Sequence, residues 1–352
     1  MKLPLDSNQT IMSRKNILSF LTAVCATLTI SSCFVNEKAE PDLKDNTIRY
    51  NLAPVKEEIQ TKALVSFPTS STFGSYAFKI PVGKNYDNNS AEGTVYINNA
   101  EIGYDNETGY WKCDSQTYSW PNDGGSLTFF SYSPYGLAGV NCSCVNGITI
   151  DNYTVGTTLG DISSDILVAD VAKDLTQNQY AFGNKGVPTL FKHKLSRVSI
   201  VASLNNKTEA GEYAYIKSLT LNNIYRRGDY INGAWTNHDM EYDFPDMITT
   251  QVDLEYGTQS IIMPLTVMMP QPMTSTGAHV PSITIVYRTH NHGADQTQTI
   301  PLYNGPTTAA AWETGKEITY YINISTKDEY IEFNGSTSTW IEETGGDINL
   351  GN

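Results

Sequence analysis

The 352-residue sequence predicts an all-β protein made of two β-sandwich domains behind an export segment. Three observations carry that expectation. Apolar residues recur with period two in short runs, and turn clusters such as "NDGG", "NNKTEAGE" and "YNGP" separate those runs. The composition, with 22 Tyr, 26 Gly and much Thr and Asn, suits a β-rich chain.

The chain opens with a segment that does not read as a fold. Residues 1–11 look unlike a targeting signal, and Met12 is the better start, because Arg14 and Lys15 precede the apolar run "ILSFLTAVCATLTI". That run is shorter than the roughly twenty residues a membrane span needs. It ends at "ISSC", which resembles a bacterial lipobox, so residues 1–32 are expected to be a lipoprotein signal peptide and Cys33 the lipidated first residue. Acyl chains stabilise membrane attachment by about 0.8 kcal/mol per buried methylene, so two or more hold a protein firmly. The polar run that follows reads as a tether, and residues 33–62 are assigned to that tether and a first strand.

Removing residues 1–32 takes Lys2, Arg14 and Lys15 from the 23 basic residues and Asp6 from the 37 acidic ones. That leaves 20 against 36, a net charge of −16. Such a surface excludes nucleic acid as a partner, since phosphate binding needs clustered cations. About 320 residues fit two domains of ordinary size.

The strands follow in order. "TIRYNLAPV" places Ile48, Tyr50 and Leu52 on one face, and Pro54 limits it to an edge or an end. "GTVYINN" sets Val95 and Ile97 against Tyr96. "SLTFFSYSP" carries Leu127 and Phe129 on one face, Phe130 and Tyr132 on the other. "DISSDILVADVAKDL" settles into neither period and reads as a short strand or a helical turn. In "VPTLFKHKLSRVSIVASL", Phe191, His193 and Leu195 share one phase, while Val198, Ile200, Ala202 and Leu204 share the other. That slip at Ser196–Arg197 needs a β-bulge or a strand passing between two packing environments. The expected domains are 63–187 and 188–352, divided at "NKGVP". In the second, "PSITIVYRT" aligns Ile283, Ile285 and Tyr287, and "KEITYYINIS" aligns Ile318, Tyr320, Ile322 and Ile324.

Chemistry is sparse. No Gly-rich phosphate loop, "HExxH" or "GxSxG" is present, and the chain is not expected to be an enzyme or to need a cofactor. His290 and His292 in "THNH" lack a carboxylate at ligand spacing and read as a solvated loop; His193 reads as packed or hydrogen-bonded. "CSC" is too tight for a common zinc site, so no metal is expected. A disulfide from Cys113 to Cys142 or Cys144 stays open. Glu342 and Glu343 are adjacent and would point to opposite faces of a strand. "YWKCDSQTYSWP" offers Tyr110, Trp111, Tyr118 and Trp120 either to the core or to a sugar.

Taken together, the lipobox, "IQTKALVSF" with "FGSYAF", "YSWPNDGGSLTFFSYSP", "DILVADV", "VPTLFKHKLSRVSI" and "EITYYINIS…YIEFNGSTSTW" resemble the fimbrillins, the subunits of type V pili. The resemblance implies two transthyretin-like β-sandwich domains and a lipoprotein precursor carried to the outer membrane. It also implies a structural pilus subunit whose partners are other subunits. A protease cuts such subunits after a basic residue and removes the first strand, and a neighbour's strand fills the vacated groove. The matching basic residues here are Lys62, Lys56 and Arg49; Lys62 lies beyond the strand, Lys56 close to its end, and Arg49 inside it. "YIEFNGSTSTWIEETGGDINLGN" is the matching donor end, or else finishes its own domain as in a tip or accessory subunit. A surface lipoprotein that binds a host glycan is the alternative function.

Overall fold

A computed structural model describes residues 46–52, 67–161, 164–177, 186–209, 211–237, 241–242, 251–327 and 330–340. Cys33, Lys56, Lys62 and the segment 341–352 lie outside the described residues. The architecture is all-β, as expected; among the described residues the helical pieces are Tyr86–Asn89 and a 3-10 turn at Ser90–Glu92.

Nine strands drawn from residues 50–193 form one sheet. Along its hydrogen-bonded path the order is Val187–Thr189, Tyr50–Leu52, Tyr110–Cys113, Thr94–Asp105, Phe73–Ile80, Ser126–Ser133, Leu167–Ala169 and Phe191–His193, with Ala172–Leu175 also pairing Ser126–Ser133. The two ends of that path, Val187–Thr189 and Phe191–His193, are separated in the chain only by Leu190. The sheet therefore curls until a single stretch of chain serves both of its edges.

Central strands of such a sheet must be apolar on both faces, and the sequence of Ser126–Ser133 explains why it lies there. Leu127 and Phe129 point into an enclosed core with Phe73, Ile97, Ile102 and Trp111. Phe130 and Tyr132 point the other way, into a second core. Val95 departs from the expected alternation: Ile97 is fully buried but Val95 is 63% exposed. The cause is a pair of register shifts where Ser75, Ala77 and Phe78 face Ala100, Ile97 and Val95. Where the sequence was ambiguous, around Asp161 to Leu175, the chain makes two short strands, Leu167–Ala169 and Ala172–Leu175.

The second core is covered by a smaller sheet, and here the expected division at residue 187 does not hold. Val140–Ser143 and Gly147–Thr154 pair with each other, and then with a hairpin, Arg227–Ile231 and Ala234–Asn237, that comes from far beyond residue 187. Tyr230 from that hairpin is buried with Tyr76, Phe78, Phe130 and Ile150. Leu195, Val267, Met269 and Trp340 join the same core. The described residues accordingly belong to one compact unit.

Beyond His193 the chain crosses at Lys194–Leu195 into a sandwich of two four-stranded sheets. One has the order Ser260–Met268, Ser196–Leu204, Lys316–Ile324, Ile331–Thr339; the other has Val252–Asp253, Ala214–Asn222, Ser282–Thr289, Gln296–Pro301. Of the two readings of the slip at Ser196–Arg197, this is the strand passing between packing environments, because Phe191–His193 and Ser196–Leu204 lie in different sheets. Val198, Ile200, Ala202, Ile283, Ile285, Ile318, Tyr320 and Ile322 fill the space between the sheets.

If the hairpin is integral to the first half, Tyr230→Ala should cost about 3 kcal/mol, as large-to-small core changes do. Hydrogen exchange should then quicken at Phe130 and Tyr132. Unchanged protection at those two residues would show that the hairpin merely rests on the first half.

Candidate assembly groove

Residues 46–52 lie in a slot with walls on both sides. On one side the Trp120 amide donates to the Asn46 carbonyl at 2.9 Å and the Ile48 amide donates to the Tyr118 carbonyl at 2.8 Å. Thr47 bridges Ser119, and Tyr50 sits opposite Trp111. On the other side Tyr50–Leu52 runs parallel to Val187–Thr189, and the Val187 amide donates to the Arg49 carbonyl at 2.7 Å. Gly186 adopts φ +114°, and a Cβ there would meet the Arg49 carbonyl oxygen at 2.6 Å, so only glycine allows the two chains to approach this closely. Of the two places Pro54 allows, an edge or an end, the proline falls beyond the strand's end. The strand ends at Leu52, ahead of Pro54, and both its neighbours hydrogen-bond to it.

Its side chains alternate as the sequence predicts. Ile48 and Tyr50 point inward, Tyr50 only 2% exposed. The Tyr50 ring meets Phe73 and Phe129 edge-on at 5.5 and 5.9 Å, geometry that suits the aromatic quadrupole. Arg49 points the other way, its guanidinium 5.2 Å from the Tyr110 ring centre.

One polar device sits at the bottom of the slot. The Tyr50 hydroxyl donates to Ser75 Oγ at 3.0 Å, and Ser131 Oγ donates to the same oxygen at 3.1 Å. Both serines are buried, and a hydroxyl oxygen has two lone pairs to receive these donors. Burial pushes the Tyr50 phenol far up, against a smaller lowering by the Ser75 hydrogen bond, so it stays a neutral donor at any physiological pH. Removing residues 46–52 would leave two backbone ladders open, an aromatic socket empty and the serine pair short of one donor. Each of these favours a replacement strand. Ser75, Ser131 and the wall at Val187–Thr189 are parts that the sequence reading missed.

The other residues singled out from the sequence are placed elsewhere. Trp111 and Trp120 are buried in the enclosed core, Trp111 against Phe67, Phe73 and Tyr104, so neither is a platform for a sugar. Ile331–Thr339 pairs with Lys316–Ile324 along its whole length, and Phe333 stacks on Tyr320 at 5.2 Å. Trp340 stacks on His193 at 4.0 Å, under the Arg197 guanidinium at 4.9 Å. His193 Nδ1 is 2.7 Å from Asp165 Oδ2, and burial pushes the Asp165 carboxyl up. His193 is therefore a packed, hydrogen-bonded histidine. His290 Nε2 lies 3.4 Å from Glu212. Cys113, Cys142 and Cys144 are free thiols, and burial raises the latter two. Among the described residues no group of three or more His, Cys, Asp or Glu is arranged to hold a metal ion.

A family model described as fimbrillin-like matches residues 29–340. Among solved structures, a fimbrial protein from Bacteroides vulgatus is similar at a TM-score of 0.62 and 17% identity, covering 84% of this chain and 99% of that one. A candidate cell adhesion protein from Bacteroides uniformis matches at 0.52 and 16%, covering 84% and 100%. Another from Parabacteroides distasonis matches at 0.50 and 11%, covering 84% and 96%. No curated protein matches.

The socket makes a measurable claim. Tyr50→Phe should cost about 1 kcal/mol for the lost buried hydrogen bond, and Tyr50→Ala about 3–5 kcal/mol. Urea unfolding of Tyr50→Phe, Ser75→Ala and the double variant should give a coupling of about 1 kcal/mol. Strictly additive effects would disprove the hydroxyl link.

Proposed function

The chain belongs to the fimbrillin-like family, and on that footing we propose that it is a structural subunit of a fimbria at the cell surface. In this reading it is exported as a lipoprotein acylated at Cys33, trimmed by a protease, and assembled by strand exchange at the outer membrane. The observation that carries the proposal is the slot around residues 46–52, because it joins a short, detachable segment to two ready-made hydrogen-bonding walls. An incoming strand would satisfy both walls and refill the socket, which is β-augmentation with a built-in vacancy.

The strand's position ranks the cleavage sites. Hydrolysis after Lys62 or Lys56 releases all of residues 46–52. Hydrolysis after Arg49 would leave Tyr50–Leu52 joined to the body and the socket still filled. Lys62 is the preferred site.

A second reading, a tip or accessory subunit that accepts a strand and gives none, is favoured by one specific observation. Ile331–Thr339 already completes its own sheet, and Trp340 is seated in the core behind it. The surface glycan-binder loses Trp111 and Trp120, whose rings are buried, and keeps only the half-buried Tyr110 and Tyr118 of its aromatic cluster.

Amino-terminal sequencing of assembled material should find Ala63 as the first residue, and Lys62→Ala with Lys56→Ala should abolish assembly. Assembled protein still beginning at Cys33 would sink the trimming mechanism. Tethering the last strand with Thr319→Cys and Ser336→Cys, which face each other across the pair, separates the two readings. A shaft subunit should stop growing when so locked, and a tip subunit should be incorporated as before.

A further inference from the structure

The last strand ends in a seat built by the first half. Trp340, just beyond Ile331–Thr339, is 4% exposed and shares the core of Tyr76, Phe130 and Ile150. Its amide donates to the Gly315 carbonyl at 2.9 Å, and the Gly315 amide donates to the Leu195 carbonyl at 2.9 Å. The indole is thereby brought to the crossing at Lys194–Leu195, where it lies flat on His193, ring centres 4.0 Å apart and planes 9° apart.

Behind His193 stands Asp165. The strands Leu167–Ala169 and Phe191–His193 pair with His193 opposite Leu167, and the Lys194 amide donates to the Ile166 carbonyl at 2.8 Å. That register sets His193 Nδ1 2.7 Å from Asp165 Oδ2, with the two side chains 8% and 10% exposed. A ring nitrogen and a carboxylate oxygen this close need a proton between them, because two lone pairs would repel. The bridging proton alone leaves the pair with a negative charge; one further proton makes it neutral. Burial opposes the negative state. Asp165 Oδ1 has no hydrogen-bond partner among the described residues, and burial pushes the carboxyl up, against smaller lowering by His193.

The other charged groups around the seat have their own partners. Arg197, its guanidinium 4.9 Å from the indole centre, pairs with Glu317 at 2.6 Å. Lys316 donates to Thr339 Oγ1 at 3.3 Å, Lys192 pairs with Asp170 at 2.8 Å, and Lys194 Nζ lies 6.0 Å from the Tyr230 ring centre. Tyr153, which senses both Asp161 and Asp165, donates to the Ser164 carbonyl, and burial pushes its phenol up to about 12. The Asp165–His193 pair is the part of the seat whose charge changes near neutral pH, the range of an imidazole.

We infer that Trp340 and the Asp165–His193 pair form a proton-linked latch: the seated indole keeps water out and a proton on the pair, and its withdrawal lets the proton go. The linkage runs both ways. Below the titration of the seated pair the latch is firm. As pH rises through that titration the pair acquires a buried negative charge, and the end of the last strand loosens. The latch fastens that strand to the first half whether or not the strand is ever donated.

Hydrogen exchange of the full chain, followed by NMR from about pH 5 to about pH 9, reads the latch at the Trp340 amide. Its protection factor should fall by up to about tenfold per pH unit across the titration, the slope of one linked proton. Ile285, in the opposite sheet of the second sandwich, should show no such fall. Asp165→Asn keeps an oxygen to accept from His193 and cannot ionise, so it should abolish the fall at Trp340. Trp340→Ala uncovers the imidazole, and the His193 titration, read from its ring nitrogen shifts, should move down by about one pH unit or more, a tenfold weaker hold on the proton. This second reading decides the matter if Asp165→Asn does not fold. An equal fall in Asp165→Asn and wild type, or a His193 titration unmoved by Trp340→Ala, would overturn the latch.

Discussion

The closure of the first sheet around residues 46–52 is the constraint on which the rest depends. A sheet of nine strands that curls on itself needs its edges satisfied, since unpaired amides and carbonyls are costly when buried. Here one continuous stretch, 187–193, pairs at one end with Tyr50–Leu52 and at the other with Leu167–Ala169. Take out the short first strand and the curl opens at one defined place, between Tyr110–Cys113, which keeps Thr94–Asp105 beside it, and Val187–Thr189, which pairs with no other described strand of that sheet. That is why so few residues can govern the state of the whole domain. Tyr50 concentrates the effect by filling the socket and donating to Ser75 Oγ, the buried acceptor that also receives Ser131.

The carboxy-terminal side follows the opposite logic. The last strand lies at a sheet edge, so it can leave without opening any other pair of its own sheet. It is nonetheless held well: Phe333 lies against Tyr320, and the Gly335 amide donates to the Thr307 carbonyl at 2.7 Å. Trp340 lies between an imidazole and a guanidinium in the core shared by both halves. These contacts must all break before the last strand can leave its own sheet.

Much of this was legible in the residues. Alternation placed Ile48 and Tyr50 on one buried face, assigned the two faces of Leu127–Tyr132 correctly, and aligned Ile318, Tyr320, Ile322 and Ile324 toward one core. Pairing between distant segments was not legible, because period two says which face is buried but not which strand lies alongside. Pro54 left the first strand either at an edge or ending ahead of it, and its second wall, Val187–Thr189, lies far along the chain. The boundary at "NKGVP" failed for the same reason, as nothing local in "RRGDYINGAWTN" reveals that this hairpin pairs with Gly147–Thr154. Ser75 and Ser131 are ordinary strand serines until Tyr50 is seen above them.

That hairpin also bears on how the protein is made. Synthesis delivers the chain from its amino terminus, yet the sheet over the first half's second core stays incomplete until residue 237 has emerged. Until then Tyr76, Phe78, Phe130 and Ile150 lack part of their cover, on an element that is long-range in sequence and so slow to form. A nascent chain of this kind is sticky for longer than its strand content suggests. Its exposed apolar face should therefore need cover from a holding chaperone until the last pieces arrive.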